Sequence, residues 1–267
     1  MVKMVFSDID GTLLTDDKRV TAGTEQAVKE LLGRGIPFVL VSARMPEAIT
    51  PITERMGIKI PMICYSGALV LTAAGEVLRS VTMEKEKTTA FLREAAARFP
   101  QAVVNFYAGH HWYVRDPQEA HVAFERKITG AVPERADFAD CLARGALPHK
   151  LLLMMEPADC ARAEEELRAH AAGLHVVRSS PTLLEVMDAS VTKASGIEVM
   201  LRHAGSTAAD ALSFGDNYND LEMLRYTGTS VAMGNAPEEV KAAATAVTLS
   251  NEEDGIAAYL LQCGLVG

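Results

Sequence analysis

"VFSDIDGTLL", residues 5–14, runs from an apolar strand into two aspartates with one residue between them and a Gly-Thr turn behind. Side chains two positions apart in extended chain project to the same side, so Asp8 and Asp10 are expected to crowd one spot. Like charges that close are costly unless a cation or a shared proton relieves them. Active sites are built that way more often than structural sites are.

Outward from this stretch, strands and helices alternate. A helix is expected from about Thr21, with Val28, Leu31 and Leu32 on one face and its end at Gly35. "PFVLV" (37–41) reads as a second strand, Pro46 to Gly57 as a helix and "PMICY" (61–65) as a third strand. The last third repeats this alternation, with a helix near Ile197 to His203, strand "ALSF", helix "DLEMLRY", strand "TSVAM", helix "EEVKAAA", strand "AVTL" and a closing helix to Leu261. Apolar strands separated by amphipathic helices indicate βαβ units, so both ends form one α/β domain, a Rossmann-like doubly wound parallel-sheet core.

The middle has another texture. It holds the only tryptophan, Trp112, the adjacent His110 and His111 within "VVNFYAGHHWYV", an Ala-rich helix around Ala161 to Ala172, and the short strands "KLLLMM" and "LHVVR". It is read as an inserted α+β cap domain, residues 83–187, in a core made of residues 1–82 and 188–267. Adjacent strand residues face opposite ways, so His110 and His111 do not readily chelate together. Trp112 and Tyr113 are assigned to cap packing, Met223 and Met233 to core filling, and "NEEDG" (251–255) to a solvated helix start.

A chain of 267 residues suits about two domains, and 49% hydrophobic with 23% charged residues is a globular composition. The net charge of -9 leaves no broad basic surface for a nucleic-acid backbone, so no nucleic-acid partner is expected and an anionic substrate must be met by local cations. The four cysteines are widely spaced with no C-x-x-C pair, and are expected to be reduced core thiols. The first residues lack a leader pattern and no apolar run suits a membrane span, so a cytoplasmic protein without a membrane partner is expected.

Open parallel sheets bind ligands at the carboxyl ends of their strands. Those ends deliver Asp8, Asp10 and Thr12, then Ser42 and Arg44 in "VSAR", Lys193 in "VTKAS", and Asp216, Asn219 and Asp220 in "FGDNYND". The assortment suits phosphoryl transfer, which needs a nucleophile, cations for the phosphoryl oxygens and an acid for the leaving oxygen. Oxygen ligands select Mg²⁺, which takes one or two carboxylates; Asp8 and Asp216 would be those, with Lys193 adding positive charge and Ser42 a hydrogen bond. Thr12 is taken with Ser42 and Lys193 as a phosphate or substrate contact, and Arg44 is divided evenly between a substrate contact and a surface charge at a helix start. D-x-D alone is common in calcium loops and solvated turns; its position after an apolar strand and before G-T-L-L, with a distant G-D-x-x-x-D, gives it weight.

On these residues the sequence resembles a haloacid dehalogenase superfamily phosphatase of the Cof-type branch (subclass IIB), which carries a large cap after the second motif. "DIDGTLL", "GDNYNDLEML", "VAMGNAPEEVK" and "EEDGIAAYL" carry the likeness over about residues 1–80 and 188–267. The resemblance implies Asp8 as nucleophile, Asp10 as general acid and then base, and Ser42 and Lys193 as phosphate contacts. It also implies that Mg²⁺ is held by Asp8, the Asp10 backbone carbonyl and Asp216, with Asn219 and Asp220 supporting the site. The expected function is Mg²⁺-dependent hydrolysis of small phosphomonoesters such as sugar phosphates. Departures are "SAR" in place of a Thr-Gly pair, Ser66 where the branch usually has Asn, and Ala194 where Gly is frequent. Two other classes stay in view: a phosphomutase or phosphotransferase on the same scaffold, and a non-catalytic phosphate-accepting module, which would have no need of Asp10. Oligomeric state and the physiological ester are not encoded in these motifs.

Overall fold

Four-residue runs such as MVFS and FVLV are buried at every position, which a strand achieves when helices cover both faces of its sheet. In the computed structural model, which describes residues 2–267, the chain begins with β1 (Met4–Ser7), α1 (Ala22–Gly33), β2 (Phe38–Val41), α2 (Pro46–Arg55), β3 (Met62–Cys64), β4 (Leu69–Leu71) and β5 (Val77–Ser80). The middle supplies α3 (Lys85–Arg98), β6 (Val103–Ala108), β7 (His111–Val114), α4 (Ala120–Thr129), β8 (Glu134–Arg135), α5 (Phe138–Ala143), β9 (Lys150–Met154), α6 (Pro157–Arg168), β10 (Leu174–Ser180) and β11 (Leu183–Asp188). It closes with α7 (Lys193–His203), β12 (Ala211–Gly215), α8 (Leu221–Tyr226), β13 (Thr229–Ala232), α9 (Glu238–Ala243), β14 (Ala246–Val247) and α10 (Gly255–Gln262).

The contacts divide the chain into two units. One holds the chain up to Ala43, Ile52–Arg79 and Thr192–Gly267; the other holds Arg44–Pro51 and Ser80–Val191. The short stretch Arg44–Pro51, which includes the first part of α2, thus groups with the inserted residues.

The first unit contains an eight-stranded sheet in the order β14-β13-β12-β1-β2-β3-β4-β5. Pairing is parallel from β14 through β3, and β4 then turns back antiparallel on β3. β4 and β5 extend the sheet beyond the strands read from the sequence. On one face, Ile197, Met200 and Leu201 of α7 pack with Met4, Phe6, Val39, Val41 and Ile63. On the other, Tyr259 of α10 meets the Phe214 ring edge-on at 5.8 Å, and α1 packs against α10. The sheet is therefore doubly wound. α1 begins where Thr21 accepts the N–H of Thr24, and ends as Gly35 takes up φ +77°, as the sequence suggested.

The second unit is built on a six-stranded sheet, β10-β11-β9-β6-β7-β8, antiparallel except for the β7–β8 pair. Phe106, Leu151, Leu153, Leu184 and Val186 on one face pack with Phe91, Ala95 and Phe99 of α3 and Cys160, Ala163 and Leu167 of α6. Gly109 and His110 form the β6–β7 turn. His110 bonds Glu47 at 2.6 Å, while His111 bonds Glu134 at 2.8 Å and stacks on Tyr113, so the two histidines serve different partners. Cys64, Cys141 and Cys160 are buried thiols, but Cys263, the cap residue just past α10, is exposed, against the expectation of a core thiol. No helix among the described residues is long and apolar enough to cross a membrane.

Candidate active site

The site residues stand where the sheet's central strands end. Asp8 follows β1 directly, and its N–H still donates to Phe214 of β12 at 3.0 Å; Asp216 follows β12. Lys193 is the first residue of α7, a turn earlier than the apolar pattern suggested, because Thr192 and Ser195 cap each other reciprocally. Two glycines admit this helix start. A Cβ on Gly67, which sits at φ +109°, would strike the Thr192 carbonyl, and one on Gly196 would strike Ile63.

The Lys193 ammonium lies 2.5 Å from Asp8 Oδ1 and 2.5 Å from Asp220 Oδ1. Asp220 Oδ2 accepts the N–H groups of Asp216 at 2.9 Å and Asn217 at 3.0 Å, so both of its oxygens are engaged. Thr12 donates its hydroxyl to Asp216 Oδ1 at 2.6 Å. Asp8, Asp216 and Asp220 each offer an oxygen within 4.8 Å of the others.

Burial pushes the Asp8 carboxyl well above the usual range; Lys193 opposes this, while Asp220 and Asp216 add to it. Burial also pushes Asp216 up to about 6, against the hydrogen bond from Thr12 and with a contribution from Asp220. Burial alone would favour neutral Lys193, but Asp220 and Asp8 outweigh it and raise its pKa, so it remains an ammonium. Three carboxyl groups around one ammonium put a surplus of acidic groups in a closed space. The second oxygens of Asp8 and Asp216 make no hydrogen bond with any described residue. An all-oxygen donor set with that surplus fits a hard divalent cation held by Asp8 and Asp216, with Asp220 as their brace.

β1 ends at Ser7 and the chain turns at Ile9, so the pleat does not align Asp8 with Asp10. Asp10 is half-exposed and pairs with Lys18 at 2.9 Å; Asp220 and Asp216 are the carboxyl groups that raise Asp8, and Asp10 contributes to raising Asp216. Lys18 was not singled out from the sequence; it adopts φ +60° in the "TDDKR" turn, which brings it back onto Asp10.

Ser42 is buried just past β2, where its N–H donates to Ile63 and its carbonyl accepts from Ser66. Arg44 is half-buried and donates to the Ala48 carbonyl at 3.3 Å, which ties it to α2. Asn219 is exposed and its side chain makes no hydrogen bond with a described residue; of the two expected supports, Asp220 is the one built into the cluster. Ser66, at φ +55°, occupies a conformation that Asn adopts more readily.

The family model of haloacid dehalogenase-like hydrolases matches residues 5–260. A Haemophilus influenzae protein named "Putative phosphatase" is 37% identical over 260 residues, covering 97% of each chain. Among solved structures, a haloacid dehalogenase-like hydrolase from Bacteroides thetaiotaomicron superposes with a TM-score of 0.89 at 27% identity, over 98% of this chain and 100% of that one. The subclass IIB sugar phosphatase BT4131 gives 0.86 at 26% identity, over 99% and 100%. With its motifs on the strand ends of a doubly wound sheet and an α+β unit inserted between them, the chain belongs to the haloacid dehalogenase-like hydrolases.

Proposed function

We propose that the protein is a Mg²⁺-dependent phosphatase of small phosphorylated metabolites, sugar phosphates foremost, working through a phosphorylated Asp8. The observation that carries this reading is the buried cluster of Asp8, Asp216 and Asp220 around Lys193 at the carboxyl edge of the sheet. The sugar phosphatase among the similar structures supports the substrate class.

Lys193 favours the carboxylate form of Asp8 and holds it in place for attack on phosphorus along the line of the bond that breaks. As the Asp8 oxygen bonds to phosphorus, the ester P–O bond breaks and Asp10 gives its proton to the departing oxygen. Asp10 then takes a proton from water, whose oxygen attacks the phosphoryl group, frees phosphate and restores the Asp8 carboxylate. Asp8 and Asp216, with the Asp10 backbone carbonyl, would hold Mg²⁺, which when bound neutralises phosphoryl oxygens so that one anion can approach another. Thr12 steadies Asp216 and Asp220 steadies Lys193; Ser42 and Lys193 contact the phosphoryl oxygens, and Arg44 the substrate beyond them. Asn219 supports the metal site from outside the cluster. We assign the choice among esters to the inserted unit, since a site can be regrafted there without changing the fold.

The test is phosphate release from a panel of phosphorylated metabolites with Mg²⁺ and with chelator, wild type beside Asp8→Asn. Metal-dependent release that disappears in the variant is expected. Release that survives in Asp8→Asn would remove the covalent mechanism.

A further inference from the structure

Two asparagines outside the cluster grip the turn that carries Asp10. Asn235, just past β13, donates its side-chain N–H to the Gly11 carbonyl at 2.9 Å, and its Oδ1 accepts the backbone N–H of Asn251 at 3.2 Å. Asn251 is buried, 6% exposed, and donates its side-chain N–H to the Leu14 carbonyl at 2.9 Å. The two carbonyls bracket the turn from Gly11 to Leu14, which closes through the Leu14 N–H on the Ile9 carbonyl at 2.9 Å and a bridge between Asp10 and Leu14.

The same stretch of chain holds on further along. Glu252 accepts the N–H of Asp16 at 2.7 Å, and Asp254 accepts the N–H of Thr24 at 3.0 Å and the Thr21 hydroxyl. "NEEDG" is therefore more than a solvated helix start: Glu252 and Glu253 are exposed, but Asn251, Glu252 and Asp254 each fasten a point between Leu14 and Thr24.

The turn has little freedom of its own. Gly11 lies at φ +83° with the Asp216 carboxylate where a Cβ would be, and Thr12 is bonded to that carboxylate. What remains adjustable is the outer side of the turn, where backbone carbonyls must find donors from elsewhere in the chain or from water. Asn235 is exposed, so its side chain adds little packing; its two amide atoms instead join two separate backbone segments.

We propose that Asn235 and Asn251 are positioning residues for Asp10: by fixing the Gly11 and Leu14 carbonyls, they hold the turn in the pose from which Asp10 reaches the leaving oxygen. This rests on the assignment of Asp10 as the acid. A catalytic group displaced by about 1 Å loses on the order of 100-fold in rate, so the loss of one such tether is large enough to read.

The experiment uses the full chain with Mg²⁺ and measures single-turnover transfer from an alkyl ester, a hexose phosphate, and from an aryl ester, p-nitrophenyl phosphate. A phenolate leaves without a proton and an alkoxide does not, so only the alkyl rate depends on a placed acid. Asn235→Ala is expected to lower the alkyl rate about 10- to 100-fold and the aryl rate less than about threefold, with an unchanged melting temperature. Asn235→Asp, which keeps the acceptor for Asn251 and loses the donor to Gly11, is expected to follow it. Asn251→Ala should show the same asymmetry; because that residue is buried, the exposed Asn235 keeps the test decisive if Asn251→Ala does not fold. Equal losses on both esters, or none on either, would overturn the positioning role. Asp10→Asn is run alongside: if it loses both esters equally, the acid assignment fails and the proposal falls with it, whereas an asymmetric Asp10→Asn beside symmetric asparagine variants sinks the proposal alone.

Discussion

The Lys193 ammonium and the Asp220 carboxylate form an ion pair at 2.5 Å with side chains 1% and 0% exposed. Removing one member of a buried pair strands the other, and here the same ammonium also serves Asp8. Lys193→Met is expected to cost about 3–5 kcal/mol near neutral pH in urea unfolding, besides abolishing turnover. A loss below about 1 kcal/mol would mean that the pair is hydrated and weak.

The raised pKa of Asp216 carries a sign. Its value goes from 3.8 to about 6 on folding, so the folded state holds the proton more tightly, and metal-free stability falls as pH rises between those values. Each pH unit of that window is worth about 1.4 kcal/mol. Mg²⁺ should raise the melting temperature at pH 7.5 and much less at pH 4.5. Asp216→Asn should melt higher than wild type without metal at pH 7.5 and lose most of the response to Mg²⁺. Calorimetry with and without chelator checks both.

In the inserted unit, His149 titrates the other way. Gly109 donates its N–H to His149 Nδ1 at 3.0 Å, so the proton of the neutral ring is on Nε2, which donates to Ser80 Oγ at 2.9 Å. Burial, with His110 nearby, pulls its pKa down to about 4 from 6.5. The unfolded chain takes up this proton first, so stability present above pH 6.5 is lost as pH falls toward 4. Trp112, the only tryptophan, is buried in this unit and reports its unfolding. His149→Gln should flatten the pH dependence of that fluorescence transition over the same window.

The turn after β3 offers a test of backbone strain. Ser66→Asn is expected to stabilise by about 0.5 kcal/mol, since Asn tolerates the left-handed region better than Ser. Gly67→Ala is expected to cost about 2 kcal/mol or more and to lower activity, because its methyl would push the Thr192 carbonyl and with it the start of the helix that carries Lys193. Thermal melts of the two variants should move in opposite directions.

Much of the core was legible because burial on both faces leaves a plain trace: MVFS, FVLV and ALSFG are apolar runs that end at Asp8, Ser42 and Asp216. β4 and β5 left a weaker one, being short and separated by "TAAGE" without alternation. Asp10 lies past the last paired residue of β1, with Ile9 already in a turn, so strand alternation does not place it. Asp220 stood out at a strand end in G-D-x-x-x-D, but its place as a buried brace depends on two backbone N–H groups that no spacing announces. Asn235 and Asn251 were invisible for the same reason, as each acts on a backbone carbonyl more than 200 positions away, at |i−j| of 224 and 237.

β1 lies between β2 and β12, and β12 begins only at Ala211, after the whole inserted unit. A ribosome adding about 5–20 residues per second leaves the nascent MVFS strand with one bare edge for on the order of 10 s. During that interval the strand is a template for pairing with any neighbouring chain, and a message cut short before Ala211 never closes it. The protein's exposure to misassembly is thus set by the length of its own insertion, and slowing translation through residues 80–210 should lower its soluble yield.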